Sequence, residues 1–123
     1  MRETKFRAWD KKEKTMDEPF DLYSVGYLNG ENGYDPKYYI LLEFTGLHDK
    51  NGKEIYESDK LKTKKDIVYT IFYSEKTARW AGKTLNVWTD DVQKYFYKSL
   101  AWLASRSEVI GDIYSNPELL EEK

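Results

Sequence analysis

Phe44-Thr-Gly-Leu-His-Asp-Lys-Asn-Gly-Lys-Glu-Ile-Tyr-Glu-Ser-Asp-Lys-Leu61 is the stretch from which the rest of the chain can be read. Its centre, Asp49-Lys-Asn-Gly52, is a turn with a mechanism. An aspartate in first position accepts hydrogen bonds from backbone N–H groups ahead of it. A glycine in fourth position takes positive φ without a Cβ clash. Strand-forming residues lie on both sides: Leu41, Leu42, Phe44 and Leu47 before, Ile55 and Tyr56 after. The stretch therefore predicts a β-hairpin, closed by a type I turn with a glycine bulge or by a two-residue Asn-Gly turn. Asp49, Asn51 and Glu54 also raise a calcium loop. Such a loop wants oxygen ligands at positions 1, 3 and 5, glycine at 6 and glutamate at 12. Here glycine falls at 4, and Lys50 and Lys53 add positive charge, so the plain turn is the preferred reading. His48 is the only histidine and is expected to sit partly exposed at a strand end.

Working outward, 123 residues fit one domain, 1–123, with enough apolar content to hold a core without disulfide or metal. With no cysteine and one histidine, disulfide scaffolds, iron–sulfur clusters, thiol catalysis and cysteine-type zinc sites are excluded. No cofactor or metal site is expected. Met1 leads straight into Arg-Glu-Thr-Lys, which reads as no signal peptide, and no apolar run reaches membrane-spanning length. A cytoplasmic protein is expected.

Net charge is −2, but its distribution is uneven. Residues 44–88 carry 9 Lys and Arg against 6 Asp and Glu, whereas 1–43 carry 7 against 9 and 89–123 carry 4 against 7. The basic centre is built on Lys60, Lys62, Lys64 and Lys65. Lysines on a solvated strand edge discourage edge-to-edge pairing, which is the preferred reading over a phosphate-binding patch. Eleven Tyr, five Phe and four Trp suit strands, protein interfaces and nucleic-acid stacking alike.

Alternation in Thr4–Trp9 predicts a half-buried strand, followed by a polar turn at Asp10–Lys14 and a return strand from Thr15. Residues 17–37 read as short strands and loops. Tyr38–Phe44 is a strong strand, and the uncharged Ile67–Tyr73 is the strongest, hence central. Arg79-Trp-Ala81 and Leu85–Trp88 flank Gly82-Lys83, which predicts another hairpin turn. Thr89 as N-cap, Asp90 and Asp91 in a first turn, and Val92, Tyr95, Phe96, Leu100 and Leu103 at helical spacing predict one amphipathic helix over 89–104. Glu108–Tyr114 is a last strand with Gly111 at a bulge or close crossing. Asn116-Pro117-Glu118 starts a short C-terminal helix. The fold class is α+β, mostly antiparallel β, as a curled sheet or small β-barrel with those two helices.

Three segments together resemble one family. Residues 4–10, Thr-Lys-Phe-Arg-Ala-Trp-Asp, are similar to its "IKFRAWD" signature. Residues 44–60 resemble "YTGLKDKNGKEIYEGDIV", and residues 108–120 resemble "EVIGNIYENPELL". This is the YopX family of small phage and prophage proteins. Ser58 stands where the family pattern has Gly, Leu61 where it has Val, and Asp112 where Asn is usual. The resemblance implies a phage-encoded, β-rich protein of the host cytoplasm and carries over no catalytic residue.

Nucleophilic catalysis would need His48, and no nucleotide-binding glycine pattern is present. Glu57 with Asp59 could share a strand face and shift each other's pKa, but with 22 acidic residues such pairs arise by accident. The expected function is a non-enzymatic, self-associating interaction module, a homo-oligomer with a possible phage or host protein partner. The alternative is a single-stranded nucleic-acid-binding β-barrel. The candidate surface for either is Arg7, Trp9, Lys60, Lys62, Lys64, Lys65, Arg79 and Trp80.

Overall fold

A computed structural model of the chain describes residues 5–21, 37–86 and 94–116. The Asp49 hairpin forms as its chemistry demands. Strand β4 (Tyr39–His48) returns as β5 (Glu54–Tyr56), with Phe44 opposite Tyr56 and His48 opposite Glu54. Gly52 N–H donates to the Asp49 carbonyl at 3.0 Å, Asp49 N–H donates to the Lys53 carbonyl at 2.8 Å, and Gly52 takes φ +85°. Lys50 and Asn51 thus occupy the central turn positions and Gly52 the bulge. One Asp49 carboxylate oxygen accepts from Asn51 and Lys53 N–H at 2.8 and 2.9 Å. The other accepts from Val109 N–H at 2.8 Å, sixty residues away. The side chain read as a local turn-former also fastens the hairpin to the last strand.

The remaining strands are β1 (Lys5–Asp10), β2 (Thr15–Met16), β3 (Phe20–Asp21), β6 (Asp59–Thr63), β7 (Val68–Ser74), β8 (Arg79–Asn86), β9 (Lys94–Ser99) and β10 (Ser107–Asp112). Every pairing among them is antiparallel. One sheet has the order β2-β1-β4-β5, with β3 also on β1; the other has the order β10-β6-β7-β8-β9. Among the described residues the architecture is mostly antiparallel β, curled as a half-barrel, with one short helix, α1 (Leu100–Ala104). The uncharged strand is central, as its composition predicts. The core cluster is Ile55, Leu61, Tyr69, Ile71, Leu100, Leu103 and Ala104, with Trp80 and Val109 packed against it. The chain's own helix therefore covers the Tyr69–Ile71 face of β7.

Two expectations are corrected. Residues 94–99 of the predicted helix form strand β9, with Ser99 opposite Ala81 and Lys94 opposite Asn86. Tyr-Phe-Tyr at 95–97 suits a pleated strand better than a helix, where aromatics lose side-chain freedom. Among the described residues of the periodic set, only Leu100 and Leu103 lie in a helix, which Ser99 caps by accepting from Trp102 N–H at 3.3 Å. Residues 89–93 and the predicted C-terminal helix from Pro117 lie outside the described residues. The second correction concerns Gly82. The turn falls at residues 75–78, where Ala78 takes φ +54°, and β8 runs straight through Gly82. A Cβ on Gly82 would lie 2.4 Å from Leu103 Cδ1. The glycine is there to let α1 approach the sheet.

Gly111 behaves as read. The β6–β10 register slips between Val109 and Gly111, and a Cβ on Gly111 would lie 2.4 Å from Asn116 Oδ1. Ser58, at the family's glycine position, takes φ +74°.

Candidate functional site

A cleft of about 590 Å³ opens beside α1, where five cations converge: Lys50, Lys64, Lys65, Lys98 and Arg106. Each is placed by a separate local rule. Lys50 is a central residue of the Asp49 turn, tied down by Lys50 N–H donating to the Ser107 carbonyl at 3.1 Å. Lys64 and Lys65 sit in the tight β6–β7 connection. There Thr63 N–H donates to the Ile67 carbonyl at 3.0 Å and Asp66 takes φ +62°. Lys98 is the next-to-last residue of β9, and Arg106 follows α1.

The cleft's aromatic element is Trp102. Helix α1 turns Leu100, Leu103 and Ala104 into the core, which leaves the indole outward and 40% exposed. Lys98, near the end of the strand that leads into α1, and Arg106, just after the helix, both lie against the indole. Lys98 Nζ sits 4.8 Å and Arg106 Cζ 4.6 Å from the ring. Arg106 Nη1 also donates to the Trp102 carbonyl at 2.7 Å. The indole thereby holds two cations at the rim, at an attraction of roughly 0.5–1 kcal/mol each at an exposed site. Among the described residues, no carboxylate lines the cleft. Thr63, Ile67 and Tyr69 complete its wall.

A second cleft of about 650 Å³ lies against Phe72, Tyr97 and Ala81, with Lys76, Arg79 and again Lys98 on its rim. Tyr97 is 60% exposed and meets Phe72 edge-on at 5.9 Å. Among the described residues, this lining also lacks carboxylates.

Of the residues singled out in the sequence, Lys64 and Lys65 line the first cleft and Arg79 the second. Lys62 lies beside the first and is ion-paired with Asp66 at 3.3 Å. Lys60 is 5% exposed, in register with Thr70 and Gly111. Trp80 packs against the core and meets Tyr73 edge-on at 5.3 Å. Arg7 and Trp9 are taken up by the fold. Trp9 is buried and stacks on Tyr114 at 5.7 Å. Arg7 forms a buried ion pair with Asp59 and lies 4.6 Å from the Tyr56 ring centre.

That second cluster is structural chemistry. Asp59 is 1% exposed, and its other oxygen accepts from Tyr56 N–H at 2.8 Å. Burial pushes its carboxyl up to about 6, against the pull of Arg7 and the Tyr56 N–H. Asp112, its register partner across β6–β10, adds to the rise. The carboxylate neighbour of Asp59 is thus Asp112 rather than Glu57. Tyr56 donates to Glu54 at 2.9 Å, and burial followed by that carboxylate drives its phenol far up. Glu54 is desolvated, yet its bonds from Lys5 and Tyr56 bring it below its ordinary value. Asp49 is likewise lowered, three backbone N–H groups and Lys53 outweighing burial. His48 is exposed at the end of β4, as its position predicts. Among the described residues, no group of three or more His, Asp or Glu could hold a metal ion. No helix of the described residues is long and apolar enough to cross a membrane.

Trp102, Lys98, Arg106, Lys50 and Tyr97 are absent from the sequence-based surface. No single period marks Lys98, Trp102 and Arg106, which lie in a strand, in the helix and after it.

The model of the YopX protein family matches residues 5–121, nearly the whole chain. Protein EF1440 from Enterococcus faecalis, known from a crystal structure, is 22% identical, with 98% of this chain and 100% of that one covered at a TM-score of 0.52. It shares the fold. No curated protein matches the chain.

Proposed function

The chain belongs to the YopX family, and we propose that its activity is binding, with single-stranded nucleic acid as ligand and the Trp102 cleft as the seat. The observation that carries this reading is five cations around a part-exposed indole, with no carboxylate among the described lining residues. Such a surface offers fixed positive charge to a phosphate backbone and an aromatic ring to a base. The acidic side chains named above serve turns and buried pairs elsewhere, so a molecule of net charge −2 still presents a basic face. The family resemblance further suggests a phage-encoded protein of a bacterial host cytoplasm.

The test is fluorescence anisotropy of labelled oligo-dT at low salt, alongside size-exclusion chromatography with light scattering at 260 and 280 nm. Oligo-dT should bind, and Lys64→Glu with Lys65→Glu should weaken it at least ~10-fold by reversing two charges. Trp102→Ala should weaken binding by about 1–3 kcal/mol, the typical worth of one stacked base. If oligo-dT does not bind at low salt, the reading fails. Self-association is the other reading the surface supports, through Tyr97 and the 45%-exposed Tyr73. A clean oligomer free of nucleic acid in the same chromatogram would favour it.

A further inference from the structure

The two clefts lie on opposite faces of one sheet and meet at its edge. The register shows this. Ile71, Gly82 and Lys98 lie side by side across β7, β8 and β9, and so point to one face. That is the face α1 covers, because a Cβ on Gly82 would strike Leu103. The next row, Thr70, Lys83 and Tyr97, points to the other face, as does Phe72 with Ala81 and Ser99. The Trp102 cleft therefore opens on the helix side, and the Tyr97 cleft on the reverse. Lys98 belongs to both. Among the described residues, strand β9, on which Tyr97 and Lys98 are consecutive, is the last strand of the sheet.

From this we infer that the two clefts form one track, which a single strand follows by turning round the β9 edge at Lys98. The inference rests on the single-strand reading of the first cleft and adds the path of the ligand across both. Duplex DNA stays stiff over about 150 base pairs, so it cannot fold round the edge of one sheet. A single strand rotates at each nucleotide and can. The aromatic elements support the same direction of travel: Trp102 before the turn, Tyr97 and Phe72 after it, each beside cations. Lys76 and Arg79 supply phosphate contacts to the second half, and both are exposed in the 75–79 turn region.

The experiment is an anisotropy series with oligo-dT of about four, eight and sixteen nucleotides, plus a sixteen-base-pair duplex, each at several salt concentrations. Five cations in the first cleft correspond to a log–log salt slope of at most about −3.5 for a single strand, and seven in both clefts to at most about −5. Short oligo-dT should show the smaller slope and long oligo-dT the larger, with at least ~10-fold tighter binding. Arg79→Ala with Lys76→Ala, and separately Tyr97→Ala, should return long oligo-dT to the short-oligomer slope or affinity while leaving the shortest oligomer unchanged. All three positions are exposed, so circular dichroism should show the fold intact. If slope and affinity do not depend on length, or the duplex binds as tightly as the long single strand, the track is refuted while the first-cleft reading survives. If no oligomer binds at any length, both fall together.

Discussion

Ser58 is strained in two independent ways, and replacing it with glycine should make the protein more stable. Its φ is +74°, a region that costs an L-residue about 1–2 kcal/mol. The conformation is imposed from outside: Ser58 N–H donates to the Ile71 carbonyl at 2.8 Å, and Ile113 N–H donates to the Ser58 carbonyl at 3.1 Å. Two other strands thus fix this peptide, and the side chain must accept the result. The hydroxyl is also buried without a hydrogen-bond partner, a further cost of about 1–3 kcal/mol. Against these stands the greater freedom of glycine in the unfolded chain, about 0.4–1 kcal/mol. The balance for Ser58→Gly is a gain of about 1–4.5 kcal/mol. With an unfolding entropy near 2.1 cal/mol/K per residue, 123 residues convert each kcal/mol into roughly 4 °C, so Tm should rise by about 4–18 °C. Scanning calorimetry reads this directly. Ser58→Ala separates the two causes, because it removes the hydroxyl and keeps the Cβ, and it should recover only part of the gain. A glycine variant that melts at or below the parent temperature would refute the reasoning.

Asp49→Ala should cost about 2–4 kcal/mol in urea unfolding, because three backbone N–H groups on two elements lose their acceptor. The Asp49 carboxyl is lowered in the fold, so its contribution is present above the ordinary carboxylate pKa and should fade as pH falls through the lower folded value. Arg7→Ala should cost about 3–5 kcal/mol at pH 8, where Asp59 must stay buried and charged. Asp59 titrates near 6 in the fold against about 3.9 unfolded, so the folded state binds the extra proton between these values and its stability falls as pH rises through them. The Arg7→Ala penalty should therefore be visibly smaller at pH 5 than at pH 8, and equal penalties would count against a buried ionised pair. Gly82→Ala should destabilise by about 1–3 kcal/mol, and less in a Leu103→Ala background, where the clashing methyl is gone. Additive losses in that double-mutant cycle would mean the contact is not made.

What was legible in the sequence was what local chemistry decides. Asp49 and Gly52 had to make a turn because one accepts backbone hydrogens and the other takes positive φ. Ile67–Tyr73 had to be central because it carries no charge to put in water. Misreadings arose where a residue answers to a distant partner. Gly82 looked like a turn because its reason, Leu103, lies across the sheet. Val92, Tyr95, Phe96, Leu100 and Leu103 fell at helical spacing, yet the chain changes from strand to helix between Ser99 and Leu100. A period of 3.6 fitted across that junction describes neither side. Arg7 and Trp9 read as one exposed face of a strand. Tyr56 and Asp59 bury the first and Tyr114 the second, from 49 to 105 positions away.

The same junction explains why the working surface was only half visible. Lys64 and Lys65 stand out as a charge cluster in any sequence window. Lys98, Trp102 and Arg106 do not, because their convergence requires Lys98 to end a strand, α1 to begin at once, and the helix to stop within five residues. A longer helix would carry Arg106 on along its axis, away from the lysines of the β6–β7 turn. Ser99 starts the helix by capping Trp102 N–H, and Arg106 folds back on the Trp102 carbonyl at the other end. The brevity of α1 is thus what gathers charge from the Asp49 turn, the β6–β7 turn, β9 and the residues after α1 around one indole. The charge total of −2 conceals this arrangement, since clustering rather than net sign determines what a surface attracts within a Debye length of about 8 Å at physiological salt.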